Sequence, residues 1–141
     1  MKNLLLTFII IFFFLGCSQQ ENCINKDWHK NVKRVGMVVK VKKDKVEEYK
    51  KLHADNNPGV RPLLTKYGMR NFSIYLVQLA DGEWYEFGYY EYWGNDFEAD
   101  MKKLDNEPEN IKWLETCDPI QEGILPDQKG WKKMDRIYFN Y

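Results

Sequence analysis

The chain reads as an α+β domain of ferredoxin-like βαββαβ order, with one sheet carrying helices on one face. Three observations predict it. Val35, Met37, Val39 and Val41 alternate with more polar or smaller neighbours, the period of two of a half-buried strand. Val46, Tyr49 and His53 then recur at helical spacing. Last, an aromatic-rich hairpin around Asp81-Gly82 is followed by two capped helical segments and a final short strand.

The first strand is expected over 33–42, with Asp44 as N-cap of a helix from about residue 45. Pro58, in Asn57-Pro58-Gly59, breaks that helix. Val60, Leu63, Leu64 and Tyr67 resume the helical spacing until Gly68, placed as a C-cap would be. Arg70 to Leu79 is the second strand, with Phe72, Ile74 and Leu76 on one face, and Asp81-Gly82 is the hairpin turn. Trp84 to Trp93 is the third strand. Seven of its ten residues are aromatic, which puts rings on both faces and predicts that both are covered, one by helices and the other by a partner or ligand. Asp96 caps a helix carrying Phe97, Met101 and Leu104. Pro108 starts another, with Ile111 and Leu114 on one face and Trp113 beside them. The last strand is expected over Met134 to Phe139.

Residues 1–16 read as a bacterial lipoprotein signal peptide. Lys2 precedes an apolar run from Leu4 to Leu15, too short to span a membrane, and Gly16-Cys17 presents Cys17 as the lipidated residue. Residues 17–31 read as a polar tether, and residues 32–141 as a single domain. This organisation predicts export and anchoring to a bacterial membrane through the lipid alone. Lys and Arg number 21 and Asp and Glu 21, so electrostatics gives no reason to expect nucleic acid. Cys23 and Cys117 are the remaining cysteines; no Cys-x-x-Cys or His-x-x-x-His spacing exists, so no metal site is expected.

Candidate chemistry centres on Tyr49 and His53. Four residues apart, they project from one helix face, and imidazole is the side chain whose pKa best suits proton transfer near neutrality. A packing role would use the same spacing. His29, the other histidine, lies in the tether. Glu86 and Glu91 sit among the aromatic residues of the third strand, where they either bind sugar hydroxyls, catalyse, or face water. The acidic residues from Asp96 to Glu109 read as a solvated helix face. No phosphate loop, nucleophile elbow or dinucleotide fingerprint is present.

Over about residues 33–139 these segments together resemble the L-rhamnose mutarotase family. The resemblance rests on Lys33-Arg34-Val35-Gly36-Met37, on Glu48-Tyr49-Lys50-Lys51-Leu52-His53, and on Pro58 and Gly68 at matching distances from that histidine. Asn71-Phe72-Ser73-Ile74-Tyr75, Gly88-Tyr89-Tyr90-Glu91-Tyr92 and Asp96-Phe97-Glu98-Ala99-Asp100-Met101 extend it. It implies a dimeric α/β barrel, two subunits joined sheet to sheet, that interconverts the α and β anomers of L-rhamnose without a cofactor. The family's catalytic histidine falls on His53 and its substrate-binding tyrosine on Tyr49. A second substrate tyrosine falls on Phe72, which lacks the hydroxyl; of a tryptophan pair, Trp113 is kept and the other is Leu114; a tryptophan before the proline is Asn57. On this resemblance His53, held as imidazolium by its helix C-terminus, is the acid to the ring oxygen. Tyr49 orients the sugar or relays a proton and Trp113 stacks on it. The base is left open between a water and a carboxylate such as Glu91. A non-catalytic sugar-binding lipoprotein, or another enzyme on this fold such as a small monooxygenase, are the other readings.

Overall fold

The computed structural model describes residues 31–140. The leader, Cys17, Cys23 and His29 lie outside the described residues. Strand β1 (Lys33–Val41) leads through a single 3-10 turn into helix α1 (Val46–Leu52), followed by α2 (Arg61–Lys66). The hairpin of β2 (Met69–Gln78) and β3 (Trp84–Tyr92) comes next, then α3 (Phe97–Asp105) and α4 (Pro108–Cys117). Two short strands, β4 (Gln121–Glu122) and β5 (Lys132–Met134), complete the order. The sheet runs β2-β3-β1, and β4 and β5 share the far edge of β1, every pairing being antiparallel.

The inward row of β1 is the predicted one: Val35, Met37, Val39 and Val41 are all buried. Asp96 accepts a hydrogen bond from the amide of Ala99 and so caps α3. Pro108 occupies the first turn of α4. Gly68 ends α2 with φ +80°, and a Cβ there would meet the Tyr92 ring at 3.0 Å. Gly82 takes φ +79° in the hairpin turn.

Other local readings are corrected. Asp44 caps nothing through its side chain: it lies inside the 3-10 turn, and α1 starts at Val46. On α4 the buried positions are Asn110 and Cys117, with half-buried Trp113 between them, whereas Ile111 and Leu114 are exposed. The expected strand over Met134 to Phe139 is instead β5, and only Met134 belongs to both. Met134 pairs with Gly36, close to the start of β1, so a strand running antiparallel beyond it soon leaves its partner behind. Ile137 and Tyr138 are 96% and 78% exposed, while the Phe139 ring lies 3.9 Å from the Arg34 guanidinium.

A bulge interrupts β2. Arg70 pairs with Glu91 and Ser73 with Tyr89, so Asn71 and Phe72 together oppose Tyr90. Asn71, at φ +52°, is the extra residue. Met69 and Phe72, three apart, thereby share the helix-covered side: Met69 packs with the Val35–Tyr90 cluster and Phe72 meets the Tyr90 ring.

The core is split. One cluster gathers Val41, Val46, Tyr49, Cys117 and Ile120; the other gathers Val35, Met37 and Tyr90. Between them in the sheet, Val39 pairs with Glu86.

Candidate active site

A cavity of about 260 Å³ lies between the sheet and α1, α2 and α4. His53, Tyr49, Phe72 and Trp113, the four residues expected at a site, all line it.

His53 is placed by the end of α1. It is the residue at which the helix stops, and its backbone amide still bonds to the Tyr49 carbonyl. Its Nδ1 lies 3.0 Å from that same carbonyl, so Nδ1 carries the donated proton and Nε2 is left for other partners. The Tyr49 and His53 rings stack with centroids 4.2 Å apart, and the Trp113 ring meets His53 edge-on at 5.4 Å.

The loop after His53 is braced to hold this row. Arg61 donates to the carbonyls of His53, Ala54 and Asn57. Asn57 donates to the Leu52 carbonyl and accepts from the Gly59 amide. Gly59, at φ +49°, leaves room for the Trp113 ring, which a Cβ would approach to 3.0 Å.

His53 does sit at the C-terminus of α1, the position expected to favour imidazolium, but its surroundings act the other way. Burial lowers its pKa below the ordinary histidine value, the Arg61 charge adds to this, and the Tyr49 carbonyl only partly offsets them. This direction favours the neutral ring, with Nε2 free to accept a proton.

Glu86 forms part of the cavity wall and is 1% exposed. Both its carboxylate oxygens are buried without a hydrogen bond of normal geometry. Burial pushes its pKa up to about 7, a rise that the nearby Tyr49 hydroxyl tempers. Tyr49 is itself pushed well above the usual phenol value, first by burial and then by Glu86. Its hydroxyl accepts a 2.7 Å hydrogen bond from Gln121 of β4.

Glu91, offered from sequence as a base, is excluded by its place. It does not line the cavity; it lies on the opposite face of the sheet, with Arg34 at 3.3 Å and hydrogen bonds from Asn71, Tyr89 and Trp93. Burial pushes its carboxyl up, but these partners together hold it below the usual range.

Sequence reasoning did not pick out Gln121, Asn110, Arg61 and Trp131, which also line the cavity. A polar residue at an inward position of α4 was the available signal for Asn110. Trp131 comes from the irregular segment before β5, where no periodicity points inward. Cys117 is a buried thiol, pushed up to about 12 chiefly by burial. Among the described residues no three His, Cys, Asp or Glu side chains gather as a metal would require, and no helix is long and apolar enough to cross a membrane.

The architecture is similar to the crystal structure of L-rhamnose mutarotase FA22100 from Formosa agariphila. The two share a TM-score of 0.57 and 19% identity over 77% of this chain and 99% of that one, a likeness of fold. A curated L-rhamnose mutarotase from Lactiplantibacillus plantarum is 45% identical over 47 residues, 33% of this chain. That stretch is 45% of the relative, so this chain spans less than half the length of the curated protein it matches. The family model described as L-rhamnose mutarotase (rhaM) matches residues 34–139. Since this match runs from β1 to the Arg34–Phe139 contact and takes in every element around the cavity, the chain belongs to the L-rhamnose mutarotase family.

Proposed function

We propose that this protein is a mutarotase that interconverts the α and β anomers of L-rhamnose or a related 6-deoxy sugar. The observation that carries the reading is the placement of His53: its Nδ1 is tied to the Tyr49 carbonyl beside a cavity whose other walls include the Trp113 and Phe72 rings. Aromatic walls suit the C–H faces of a sugar, while Tyr49, Gln121 and Asn110 offer partners for hydroxyls.

Anomer exchange opens the ring. The ring oxygen gains a proton and the anomeric hydroxyl loses one, giving the open aldehyde. Rotation about C1–C2 and closure on the other face complete it. The Nε2 of His53 is the group in this site best suited to move one of these protons. The test is saturation-transfer NMR or polarimetry on freshly dissolved sugar. Accelerated exchange of rhamnose or another 6-deoxy sugar is expected; saturable binding with no acceleration would instead mark a sugar-binding protein.

The same reading includes a homodimer and a lipid anchor. Dimerisation through the sheet face away from the helices is supported by Tyr75, which is 66% exposed, and by its β2 neighbour Val77. Tyr75→Glu should shift the sedimentation coefficient from dimer to monomer. Export and anchoring at Cys17 are supported by the Leu4–Leu15 run and Gly16-Cys17. Cys17→Ser should move the protein from the membrane fraction to the soluble one.

A further inference from the structure

We propose that Glu86 is the second proton-transfer group of this site, acting with His53 on the two reacting oxygens of one sugar. This rests on the mutarotase reading above and adds the partner that reaction requires. Four observations support it.

Glu86 stands in the gap between the two core clusters, opposite Val39 on β1 and Leu76 on β2. A buried carboxyl between aliphatic neighbours is costly and belongs there only if something else uses it. Second, both its oxygens lack a normal hydrogen bond although the site offers the Tyr49 hydroxyl close by, so their bonding capacity remains for a guest. Third, it lines the same cavity as His53, with Tyr49 stacked on one and adjacent to the other. Fourth, burial raises Glu86 and lowers His53, the opposed directions that suit one as acid and the other as base.

The titratable groups around Glu86 come from several elements. Tyr49, from α1, and Cys117, from α4, are both pushed up by burial, Cys117 to about 12. Asp118, Arg61 and His53 share the cavity. Burial also raises the Asp118 carboxyl, and it brings Glu86 to about 7.

The step balances without an outside reagent. The protonated Glu86 carboxyl gives its proton to the ring oxygen as the C1–O5 bond breaks. Neutral His53 takes the proton of the anomeric hydroxyl at Nε2 as that oxygen becomes the aldehyde carbonyl. This leaves a carboxylate, an imidazolium and the open chain. After rotation, O5 attacks the other face of C1 and returns its proton to Glu86, while the imidazolium restores the anomeric hydroxyl. The sequence is its own reverse, as an anomer exchange must be.

The test compares wild type, Glu86→Gln and Glu86→Asp by saturation-transfer NMR on rhamnose from about pH 5 to about pH 9, with thermal denaturation of each. Expected for Glu86→Gln is a kcat lower by about 100-fold, KM within about threefold, loss of the pH–rate limb near 7, and no loss of thermal stability. Glu86→Asp, which keeps a carboxyl, should regain part of kcat and a limb. Wild-type kcat and pH profile in Glu86→Gln would overturn the proposal while leaving the mutarotase reading intact. A fall in activity matched by a fall in stability would assign Glu86 to structure and overturn it as well. Absence of exchange in wild type would instead sink the mutarotase reading itself.

Discussion

The side-chain amide of Gln121 donates a 2.7 Å hydrogen bond to the Tyr49 hydroxyl, tying β4 to α1 at the cavity wall. With the oxygen accepting from β4, the hydroxyl's own proton is left for another acceptor, and the Tyr49 hydroxyl also lowers the raised pKa of nearby Glu86. Tyr49→Phe removes both relations. The Gln121 amide loses its acceptor, at a cost of about 1–2 kcal/mol. Glu86 loses the hydroxyl that tempers its rise, so its limb in the pH–rate profile should move to higher pH. A limb that stays in place would mean that Tyr49 and Glu86 are not coupled.

Replacing His53 separates chemistry from folding. The imidazole's hydrogen bond in the domain is to the carbonyl of Tyr49, and asparagine is well tolerated where a helix ends. His53→Asn should therefore lower anomer exchange by about 100- to 10,000-fold. The melting temperature should change by only a few degrees for a domain of this size. Retention of full exchange would remove His53 from the mechanism.

Two glycines make a matched pair. Gly59 and Gly82 both have positive φ, but a Cβ at Gly59 meets the Trp113 ring at 3.0 Å while one at Gly82 meets nothing within 4 Å. Alanine at either position should cost about 1 kcal/mol or more in backbone strain. Only Gly59→Ala should also raise KM, because only there is a cavity wall displaced. Equal KM values in the two variants would show that Trp113 is not part of the sugar's environment.

The stability of the fold should itself report on Glu86. Its folded pKa of about 7 lies above the ordinary carboxyl value of 4.5, so its contribution is present below the lower value and lost as pH rises through the higher. Glu86→Gln carries no charge at any pH and escapes that loss. Relative to wild type it should gain stability as pH increases, by on the order of 3 kcal/mol above neutrality, with little difference near about pH 4. Denaturation midpoints measured across this range check it; parallel curves would place the titration elsewhere.

Much of the scaffold was legible because it follows from short-range rules. The Val35 to Val41 alternation, the Asp96 cap, Pro108 and the Asp81-Gly82 turn each carry local physics that the surroundings did not overrule. His53, Tyr49, Phe72 and Trp113 do meet in one cavity. What failed to show is where a polar residue sits on an inward face. On α4 the apolar Ile111 and Leu114 share a face that is exposed, though Leu114 still reaches the cavity, while the inward positions hold Asn110 and Cys117. Glu86 and Glu91 look alike in sequence, five residues apart on one strand. An odd spacing puts them on opposite faces, one among hydrogen-bond donors and one without them. The direction of the His53 shift is set first by burial, and burial is not written in spacing.

The bulge at Asn71 makes the two faces of β2 separable under insertion and deletion. Removing that residue would leave Met69, Arg70 and Phe72 in ordinary alternation, with Met69 and Phe72 still inward. The cavity wall would keep its ring, while Glu91 would lose the Asn71 amide from its set of donors. A change of length there should spare the cavity wall and be felt on the opposite face.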